Sequence, residues 1–534
     1  MNMPILPNTV RSTTVQGNSF QGYRREEFGS VNAFWDMENM TGIDAPVIRT
    51  REKRHKVRTL LKCNGIFGRE ALGWVDGTAL WYDGQMVGTV ADSKKTFVHM
   101  GAYTVIMPDK VLLNTESMEV VPMENRVTVS NINYKSVDML GDSQAAGEAL
   151  YVSMAAQGIG KGFKSGDVVL IENSKVESLN GYRQLQTVYE NELVLLGTMA
   201  QNTDTQPGSV TISRTTPDMD FMTESDNRLW GCSSEKHEVY ACKLGDPTNW
   251  HSYQGLASDA YALTIGSVGE FTGCCTHLGY VYFFKEHMHH KLFGNKPGNY
   301  QLTNSHVRGV AAGSSKSLCI LHETLYYMSP DGICASQGAL PSAVDKALGN
   351  VKYKNAVSGA ADKRMWVSME TDEGAVMFTY NSETGVWHKE DGVRAQVFAN
   401  VGNRLYMADD DGAIWCMTGR GDMALEDETA AWEGALPYMV ETGDLDMMNL
   451  FRKRLQKIHL RLTLDKDASC AIYVQYDGNE WKKLLDVKAG KDLKSMVLPI
   501  IPHRCDRMRI RLKGSGMMRL YNLNTMTQGG TEIG

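Results

Sequence analysis

The sequence has no apolar run long enough to cross a membrane. Nowhere in its 534 residues do about eighteen apolar residues follow one another, the length that a spanning helix needs. The stretch from Met1 to Val10 has an apolar patch but not the charged flank and longer apolar segment of a signal peptide. The formal net charge of −7 is modest and does not indicate nucleic-acid binding over the whole surface. These absences favour a soluble protein made in a cytoplasm.

Paired cysteine motifs and long amphipathic helices are also missing. The ten cysteines are scattered, and none forms the C-x-x-C motif of a structural zinc site or a redox pair. Most lie in apolar patterns such as "SLCILH" and "AIWCMT", which predict buried free thiols. Only "LPSAVDKALGN", 340–350, predicts a helical turn or two. Glycine-rich turns between strands of about five residues predict an all-β chain.

A recurring phrase indicates stacked units. "DNRLWGCSSEKHEVYACKLGDPTNW", 226–250, reads as a hairpin, and an isolated hairpin is marginally stable in water. The same turn followed by an apolar-aromatic pair occurs at Leu229-Trp230, Val281-Tyr282, Leu325-Tyr326, Met365-Trp366 and Leu405-Tyr406. The pairs are spaced by about 52, 44, 40 and 40 residues, in the range of propeller blades. Two further copies are predicted at Leu80-Trp81 and Leu112-Leu113.

These patterns predict an all-β protein with a β-propeller of six or seven blades. Small residues before each pair, as in "NAVSGAAD" and "AQVFANVG", suit inner strands around a crowded channel. The propeller is expected over 60–125 and 226–440, preceded in 1–59 by an extended arm and the first propeller strands. Residues 126–225 lack the repeat and predict an inserted, small β-barrel-like domain. Residues 441–534 alternate apolar and polar residues over five strands, as a C-terminal β-sandwich does.

Four motifs carry side chains with ligand or catalytic chemistry, but each lacks part of its pattern. His287 and His289 would share one face of a strand, without a third metal ligand nearby in the sequence. The loop "GIGKGFKSGD", 158–167, lacks the spacing of a phosphate-binding loop around Lys161. "ADDDGAIW", 408–415, lacks the bidentate glutamate of a calcium loop, and "GSSKS", 313–317, lacks a nucleophile elbow.

We therefore predict no catalytic, cofactor-binding or metal-binding residues, and a protein that is not an enzyme. Carboxylates that different blades bring together for glycoside hydrolysis stay open, because sequence spacing does not reveal such pairs.

Basic residues concentrate near the end of the sequence. Residues 451–534 contain 17 Lys and Arg against 8 Asp and Glu, mostly in "FRKRLQKIHLR" and "RCDRMRIRLK". On alternating strands these would form a solvated, positively charged face. Such a face either resists edge pairing or contacts an acidic partner or passing nucleic acid. We favour the first alternative as the energetic reason for this face, and contact with a protein partner as its function.

The segment "FGSVNAFWDMENMTGIDAPVIRTREKRHKV", 28–57, resembles the opening of tail structural proteins of bacteriophages and prophages. In those proteins an F-x-D-M-x-N phrase precedes a proline and a basic R-x-x-R run. The phrase at 226–250 is similar to one in the hub or nozzle proteins of short-tailed phages, and "RLTLDKDASCAIYVQYDGNEWKKL" to their closing β-sandwich.

The resemblance implies a virion tail component assembled in the host cytoplasm. It implies a homo-oligomeric ring below the portal or adaptor, contacts with tail fibres or a tail needle, and passage of genomic DNA through the lumen. It implies no cofactor.

Two other functions compete with this hypothesis. One is a secreted or cell-surface propeller that binds carbohydrate or acts on glycans, and the missing signal peptide and unpaired cysteines weigh against it. The other is an intracellular propeller scaffold, which the missing Gly-His and Trp-Asp signature disfavours.

Overall fold

A computed structural model describes residues 12–26, 29–139, 141–145, 150–445 and 452–529. Within these ranges the chain forms β-strands and short 3-10 helices but no α-helix. The 3-10 helices are Glu177–Leu179, Pro297–Asn299, Ser315–Ser317, Lys346–Leu348 and Met423–Leu425. The predicted all-β class is confirmed, as is a helical turn within 340–350. Among these residues no helix has the length and hydropathy to cross a membrane.

Seven small antiparallel sheets follow one another along the described chain, here named A to G. Sheets A and B comprise Cys63–Gly68, Leu72–Asp76, Ala79–Tyr82 and Gln85–Thr89, then Thr96–Met100, Tyr103–Met107, Val111–Asn114 and Glu119–Pro122. Sheets C and D comprise Phe221–Ser225, Arg228–Ser233, Glu238–Ala241 and Tyr261–Thr264, then Gly273–His277, Tyr280–Lys285, Met288–Phe293 and Gln301–Ser305. Sheets E and F comprise Cys319–Leu321, Thr324–Ser329, Gly332–Ser336 and Ser342–Ala343, then Lys354–Ala361, Arg364–Thr371, Gly374–Asn381 and Val386–Lys389. Sheet G comprises Ala395–Val401, Arg404–Asp409, Ala413–Cys416, His55–Thr59 and Ala431–Trp432.

The repeated apolar-aromatic pair has one structural position in five of these sheets. In sheets C to G it occupies the second and third residues of the second strand. Both members are buried every time. Because adjacent strand residues point to opposite faces, burial of both means that both faces of the strand are covered.

The two upstream pairs lie elsewhere than the repeat predicts. Leu80-Trp81 and Leu112-Leu113 fall in the third strands of sheets A and B, one strand later than in the other sheets. The turns before both strands, at Gly77 and Lys110, have positive φ angles of 59° and 54°. The third strand therefore also begins with a tight turn and an apolar pair, and the sequence pattern does not distinguish it from the second.

The described chain divides into two compact units, residues 1–72 with 313–534 and residues 73–312. In the second unit, the first strand of sheet C contacts the first strands of sheets B and D. In the first unit, the first strands of sheets E, F and G are neighbours in the same order. These strands pack closely, because a side chain at Gly359 would lie 2.6 Å from Cβ of Phe398. This explains the small residues of "NAVSGAAD".

Sheet G is completed by a strand from far upstream. His55–Thr59 pairs with Ala413–Cys416 and also with Ala431–Trp432. A strand of residues 1–59 thus joins a sheet of the repeat.

Residues 125–214 form one eight-stranded sheet with its own core. In spatial order its strands are Asn125–Val129, Val210–Arg214, Val168–Glu172, Gly181–Tyr189, Glu192–Leu196, Tyr151–Ala155, Ile132–Val137 and Thr203–Gln206. Its apolar cluster is drawn from residues 132–212, including Tyr134 and Leu195, which are fully buried. The last strand of this sheet along the chain ends at Arg214. The next strand, Phe221–Ser225, already belongs to sheet C, where it pairs with Arg228–Ser233.

Both ends of the chain build two further sheets. The large terminal sheet contains Met40–Thr41, Ile48–Thr50, Met518–Gly529, Lys453–Leu464 and Gly490–Pro499, with Ser12–Val15 and Arg504–Cys505 at its sides. The small terminal sheet contains Phe34–Glu38, Pro437–Thr442, Met508–Ser515, Ser469–Tyr476 and Lys482–Val487. Burial alternates along the long strands, as the sandwich pattern predicts. The N-terminal strands Phe34–Glu38 and Ile48–Thr50 pair with strands more than 380 residues away.

All ten cysteines are free, and all except the half-buried Cys275 are buried. Burial raises the pKa of the Cys319 and Cys275 thiols to about 12. The predicted buried free thiols are confirmed, and at neutral pH these side chains behave as small apolar groups.

Candidate functional site

The F-x-D-M-x-N phrase forms the strand Phe34–Glu38 and the turn after it. A β-bulge between Phe34 and Asp36 shifts the register against Pro437–Thr442. Phe34 and Met37, three residues apart, are consequently both fully buried. Asp36 and Glu38 lie on the other face, where both are half-buried.

Asn39 connects this phrase to the basic run that follows it. It adopts a left-handed φ of 52°, which asparagine tolerates better than most residues. Its Oδ1 accepts a hydrogen bond of 2.7 Å from Nε of Arg51, and its Nδ2 donates to the carbonyl of Pro437 at 2.9 Å. The two halves of the sequence phrase therefore form one structural element.

The arginines of the R-x-x-R run enter a buried ion network. Arg51 donates two hydrogen bonds to Glu433, of 2.6 and 2.9 Å. Arg54 Nη1 lies 2.8 Å from Asp391 Oδ2, and Arg54 Nη2 lies 2.5 Å from Glu390 Oε2. Burial by itself raises the pKa of Asp391, but the charges of Arg54 and Arg51 outweigh it and leave that pKa below its usual value. The network joins the N-terminal segment to sheets F and G.

An open cleft of about 550 Å³ lies beside this network, within the first unit. Its wall residues come from the N-terminal phrase, from sheet F and from the segment before sheet F. Its charged and aromatic lining includes Tyr23, Arg25, Asp36, Glu38, Lys352, Tyr353, Phe378, Lys389 and Asp391. Rings of Tyr23 and Phe378 meet edge to face with centroids 5.2 Å apart. The cleft thus combines aromatic walls with carboxylates and cations.

Asp36 and Glu38 occupy different electrostatic environments in the cleft. Lys389 Nζ lies 2.9 Å from Asp36 Oδ1 and pairs with it. Burial raises the pKa of Glu38. The positive charges of Lys389 and Lys513 oppose this rise, whereas the carboxylates of Asp36 and Asp391 add to it. A carboxyl group with a raised pKa can act as a general acid. This division suits acid-base chemistry.

The predicted motif residues have structural roles. His287 lies in the turn before Met288–Phe293, and His289 packs edge to face on Tyr282. His290 Nε2 is 2.9 Å from Ser267 Oγ, and burial, with Lys285, lowers the pKa of His290 to about 4. In the parts of the chain that the structure describes, no group of three or more His, Cys, Asp or Glu residues could hold a metal.

The other three motifs form loops and turns. The carbonyl of Lys161 accepts a hydrogen bond from Asn125 Nδ2, in the first strand of the eight-stranded sheet. Asp409 accepts from Ala413 N and Trp415 Nε1, both at 2.8 Å, and so orders its hairpin turn. Ser317 Oγ donates to the carbonyl of Ser314 and accepts from the Met328 amide.

Comparisons with known proteins give structural likeness only. No family model and no curated protein matches the chain. Solved structures similar to it include apo AztD from Citrobacter koseri, at 9% identity over 79% of this chain and 98% of that one, with a TM-score of 0.28. An exo-beta-1,3-galactanase from Phanerochaete chrysosporium aligns at 8% identity over 55% of this chain and 93% of that one, with a TM-score of 0.21. Phage phi92 endosialidase aligns at 10% identity over 81% of this chain and 64% of that one, with a TM-score of 0.17. Similarity at this level assigns no function.

The comparisons correct the prediction that the chain is not an enzyme. The similar structures include a galactanase and an endosialidase, so the missing catalytic signature is no ground for that exclusion. The physical reason lies in the topology. The residues that line the cleft come from positions more than 350 apart, and Asp36 and Glu38 by themselves match no catalytic motif.

Sequence reasoning missed Glu38, Lys389 and Tyr353 as site residues. Asp36 and Glu38 were visible as two acids at alternate positions of a short apolar strand. That spacing places both side chains on one face, and it was the available signal. The approach of Lys389 was not visible in the sequence.

Proposed function

We propose that sheets A to G are the blades of a β-propeller, with the eight-stranded sheet as an inserted domain and the two terminal sheets as a β-sandwich. The support is the shared position of the buried apolar-aromatic pair and the contacts between first strands within each unit. A radial stack covers both faces of every inner sheet, as these strands require. A strand from an early segment that completes a late sheet is the closure such a stack needs.

We propose that this propeller protein binds glycans and acts on them at the cleft beside Phe34–Glu38. The observation that carries the proposal is the pair Asp36 and Glu38 in an open cleft with aromatic walls. Two residues apart on one strand, their Cα atoms are about 7 Å apart. Inverting glycosidases place their two carboxyl groups about 6.5–9.5 Å apart, with room for a water. In this arrangement Glu38 is the general acid and Asp36 the base.

The aromatic and cationic lining would position the sugar. Tyr23 and Tyr353 offer apolar rings with polar tips, and Arg25 and Lys352 offer hydrogen-bond donors. A few polar groups among apolar walls are the usual composition of a ligand site.

Purified protein incubated with a panel of polysaccharides tests this proposal. Binding is measured by calorimetry, and bond cleavage by the release of reducing ends. Glu38→Gln should abolish cleavage while binding persists, and Asp36→Asn should lower the rate strongly. Glu383→Gln, at an exposed carboxylate paired with Lys363, is the matched control. Failure to bind any member of a broad panel, or equal rates in Glu38→Gln and wild type, would contradict the assignment.

A structural role in a phage tail is the second candidate. The observation in its favour is that the F-x-D-M-x-N phrase and the R-x-x-R run, which carry the resemblance, form one connected element through Asn39 and Arg51. A rigid module of this kind suits an assembled particle. The candidate predicts a ring of identical subunits, visible by electron microscopy or mass photometry with the tail partner present. Replacing Arg452, Arg454 and Lys457 by Glu should impair formation of that ring and leave the monomer folded. Equal ring yields from the variant and the wild type would contradict an electrostatic contribution to ring assembly.

A further inference from the structure

The large terminal sheet exposes a row of cations on one face. Its three long strands, Lys453–Leu464, Gly490–Pro499 and Met518–Gly529, contain seven Lys and Arg but one acid, Asp492. Buried residues alternate with outward ones along Lys453–Leu464. A register shift between Leu455 and Lys457 interrupts the alternation by one residue, so Arg454, Lys457 and Arg461 are all exposed on the same side of the sheet.

The strand register extends this row to a neighbouring strand. Thr463 lies opposite Arg519, and Arg461 lies opposite Asn522. Residues opposite each other in an antiparallel pair point to the same face, so Arg519 lies on the face that carries Arg461. From Arg454 to Arg461 the row is about 20 Å long, at about 3.3 Å per residue. We name Arg454, Lys457, Arg461 and Arg519 the cationic row.

The cationic row has no carboxylate partner among the described residues. Arg461 donates through Nε to Ser495 Oγ at 2.9 Å, and none of the four side chains forms an ion pair in the described parts of the chain. Four cations held on one rigid face without ion-pair partners among the described residues form a binding surface for a polyanion.

We infer that the cationic row binds an anionic polysaccharide, one that carries a carboxylate or sulfate on every one or two sugars. Along the strand, neighbouring cations are about 10 to 13 Å apart, a spacing that suits a sparsely charged polymer. Duplex DNA carries one charge per about 1.7 Å of axis, far denser than the row. The rest of the chain, with a net charge of −16 outside residues 451–534, would repel such a duplex beyond the row.

The other side chains of this face are compatible with the binding of a sugar polymer. Val497, which is half exposed, lies opposite His459 beside the row, and it offers an apolar contact for the CH face of a sugar ring. This surface is separate from the Glu38 cleft, and the inference stands whether or not the cleft cleaves glycans.

Binding of fluorescently labelled heparin and hyaluronan to the full-length protein tests the inference, with neutral dextran and a short DNA duplex as comparison probes. The wild type should bind an anionic polysaccharide more tightly than DNA and should not bind dextran through this face. Affinity should fall as salt rises. Replacing all four residues of the cationic row by Gln should weaken binding on the order of tenfold or more and flatten the salt dependence.

The matched control removes the same charge elsewhere. Lys354, Lys363, Arg404 and Lys483 are exposed, and changing all four to Gln should leave polysaccharide binding within about twofold, since charges beyond the Debye length are screened. Glu38→Gln should also bind like the wild type, which separates this surface from the cleft. Thermal unfolding of each variant shows that it is folded.

Three outcomes would overturn the inference. They are tighter binding of DNA than of either polysaccharide, equal losses in the row variant and the matched control, and no binding to any anionic polysaccharide at low salt. Sedimentation adds a fourth: self-association of the wild type that the row variant abolishes would assign the face to contacts between copies of this chain.

Discussion

Two basic segments of similar composition differ in the terminal sheets: the cations of one form ion pairs with carboxylates, and those of the other do not. In the small terminal sheet, Arg509 and Arg511 both contact Glu441, and Arg509 also contacts Asp444. In the large terminal sheet, no side chain of the cationic row forms an ion pair with another described residue. The predicted solvated, positively charged face is therefore wrong for "RCDRMRIRLK" and applies in "FRKRLQKIHLR" to Arg454, Lys457 and Arg461, whereas Lys453 is buried.

The neighbouring strand causes this difference. Pro437–Thr442 lies beside Met508–Ser515 and places Glu441 opposite Arg511. Met518–Gly529 lies beside Lys453–Leu464 and contains no acid. Arg509 and Arg511 also lie over the rings of Trp35 and Trp481 at 5.0 and 3.9 Å, so their side chains are held on two sides. The neighbouring strand therefore decides whether the charges of a segment are paired with carboxylates or stay unpaired.

Removing Glu441 should produce the largest loss of stability. Glu441→Gln leaves Arg511 without its carboxylate and Arg509 with one partner fewer, in a site where the glutamate itself is buried. Breaking a fully buried pair costs about 3–5 kcal/mol. Because both arginines are partly exposed, we expect about 2–3 kcal/mol.

Urea denaturation measures this loss, and Asp492→Asn in the large terminal sheet is its control. That exposed change should cost less than about 0.5 kcal/mol. Similar losses in both variants would show that the two sheets do not differ in their dependence on ion pairs.

Acid should destabilise the paired regions rather than the cationic row. The pKa of Asp391 is lower in the folded chain than the usual 3.8. Its contribution is therefore fully present above the unfolded value and is lost as pH falls through the folded pKa. Thermal unfolding followed between neutral pH and pH about 2 should show this loss, and Asp391→Asn should reduce its slope while lowering stability at neutral pH. An unchanged slope in Asp391→Asn would assign the acid sensitivity to other carboxylates.

Charge removal in the cationic row should barely change stability. Arg454→Gln with Lys457→Gln removes exposed side chains without ion partners, and we expect a change within about 0.5 kcal/mol. Arg511→Gln, in the paired sheet, should cost more, on the order of 1 kcal/mol. Equal losses in urea would mean that the row has stabilising contacts comparable to those of the paired arginines.

The smallest expected effect is a gain in stability. Thr463→Glu places a carboxylate opposite Arg519 and two residues from Arg461, and so copies into the large terminal sheet the pairing of the small one. Opposite charges across strands contribute about 0.2–1 kcal/mol. Thermal unfolding should detect the gain at low salt and lose it at high salt, with Thr463→Gln as the uncharged control. A gain of the same size in Thr463→Gln would point to strand propensity instead of charge.

Much of the fold was predictable because its signals are local. The period-2 pattern and the turn-plus-aromatic phrase predicted strand positions in sheets C to G, and the buried free thiols followed from cysteines in apolar strands. The same locality misplaced Leu80-Trp81 and Leu112-Leu113, because second and third strands both follow a tight turn. The cleft was not predictable, since Glu38, Tyr353 and Asp391 come together only in the folded chain.

The sequence by itself determined the all-β class, the position of the repeated pair within its strand and the excess of cations after residue 450, because alternation, turns and net composition are properties of short segments. The tertiary structure alone decided that Arg51 and Arg54 are buried against Glu390, Asp391 and Glu433. It also decided that N-terminal strands complete the terminal sheets, and that one arginine segment is neutralised while the other stays open. Each of these depends on which strand lies beside which, a pairing set by burial of apolar faces across hundreds of residues.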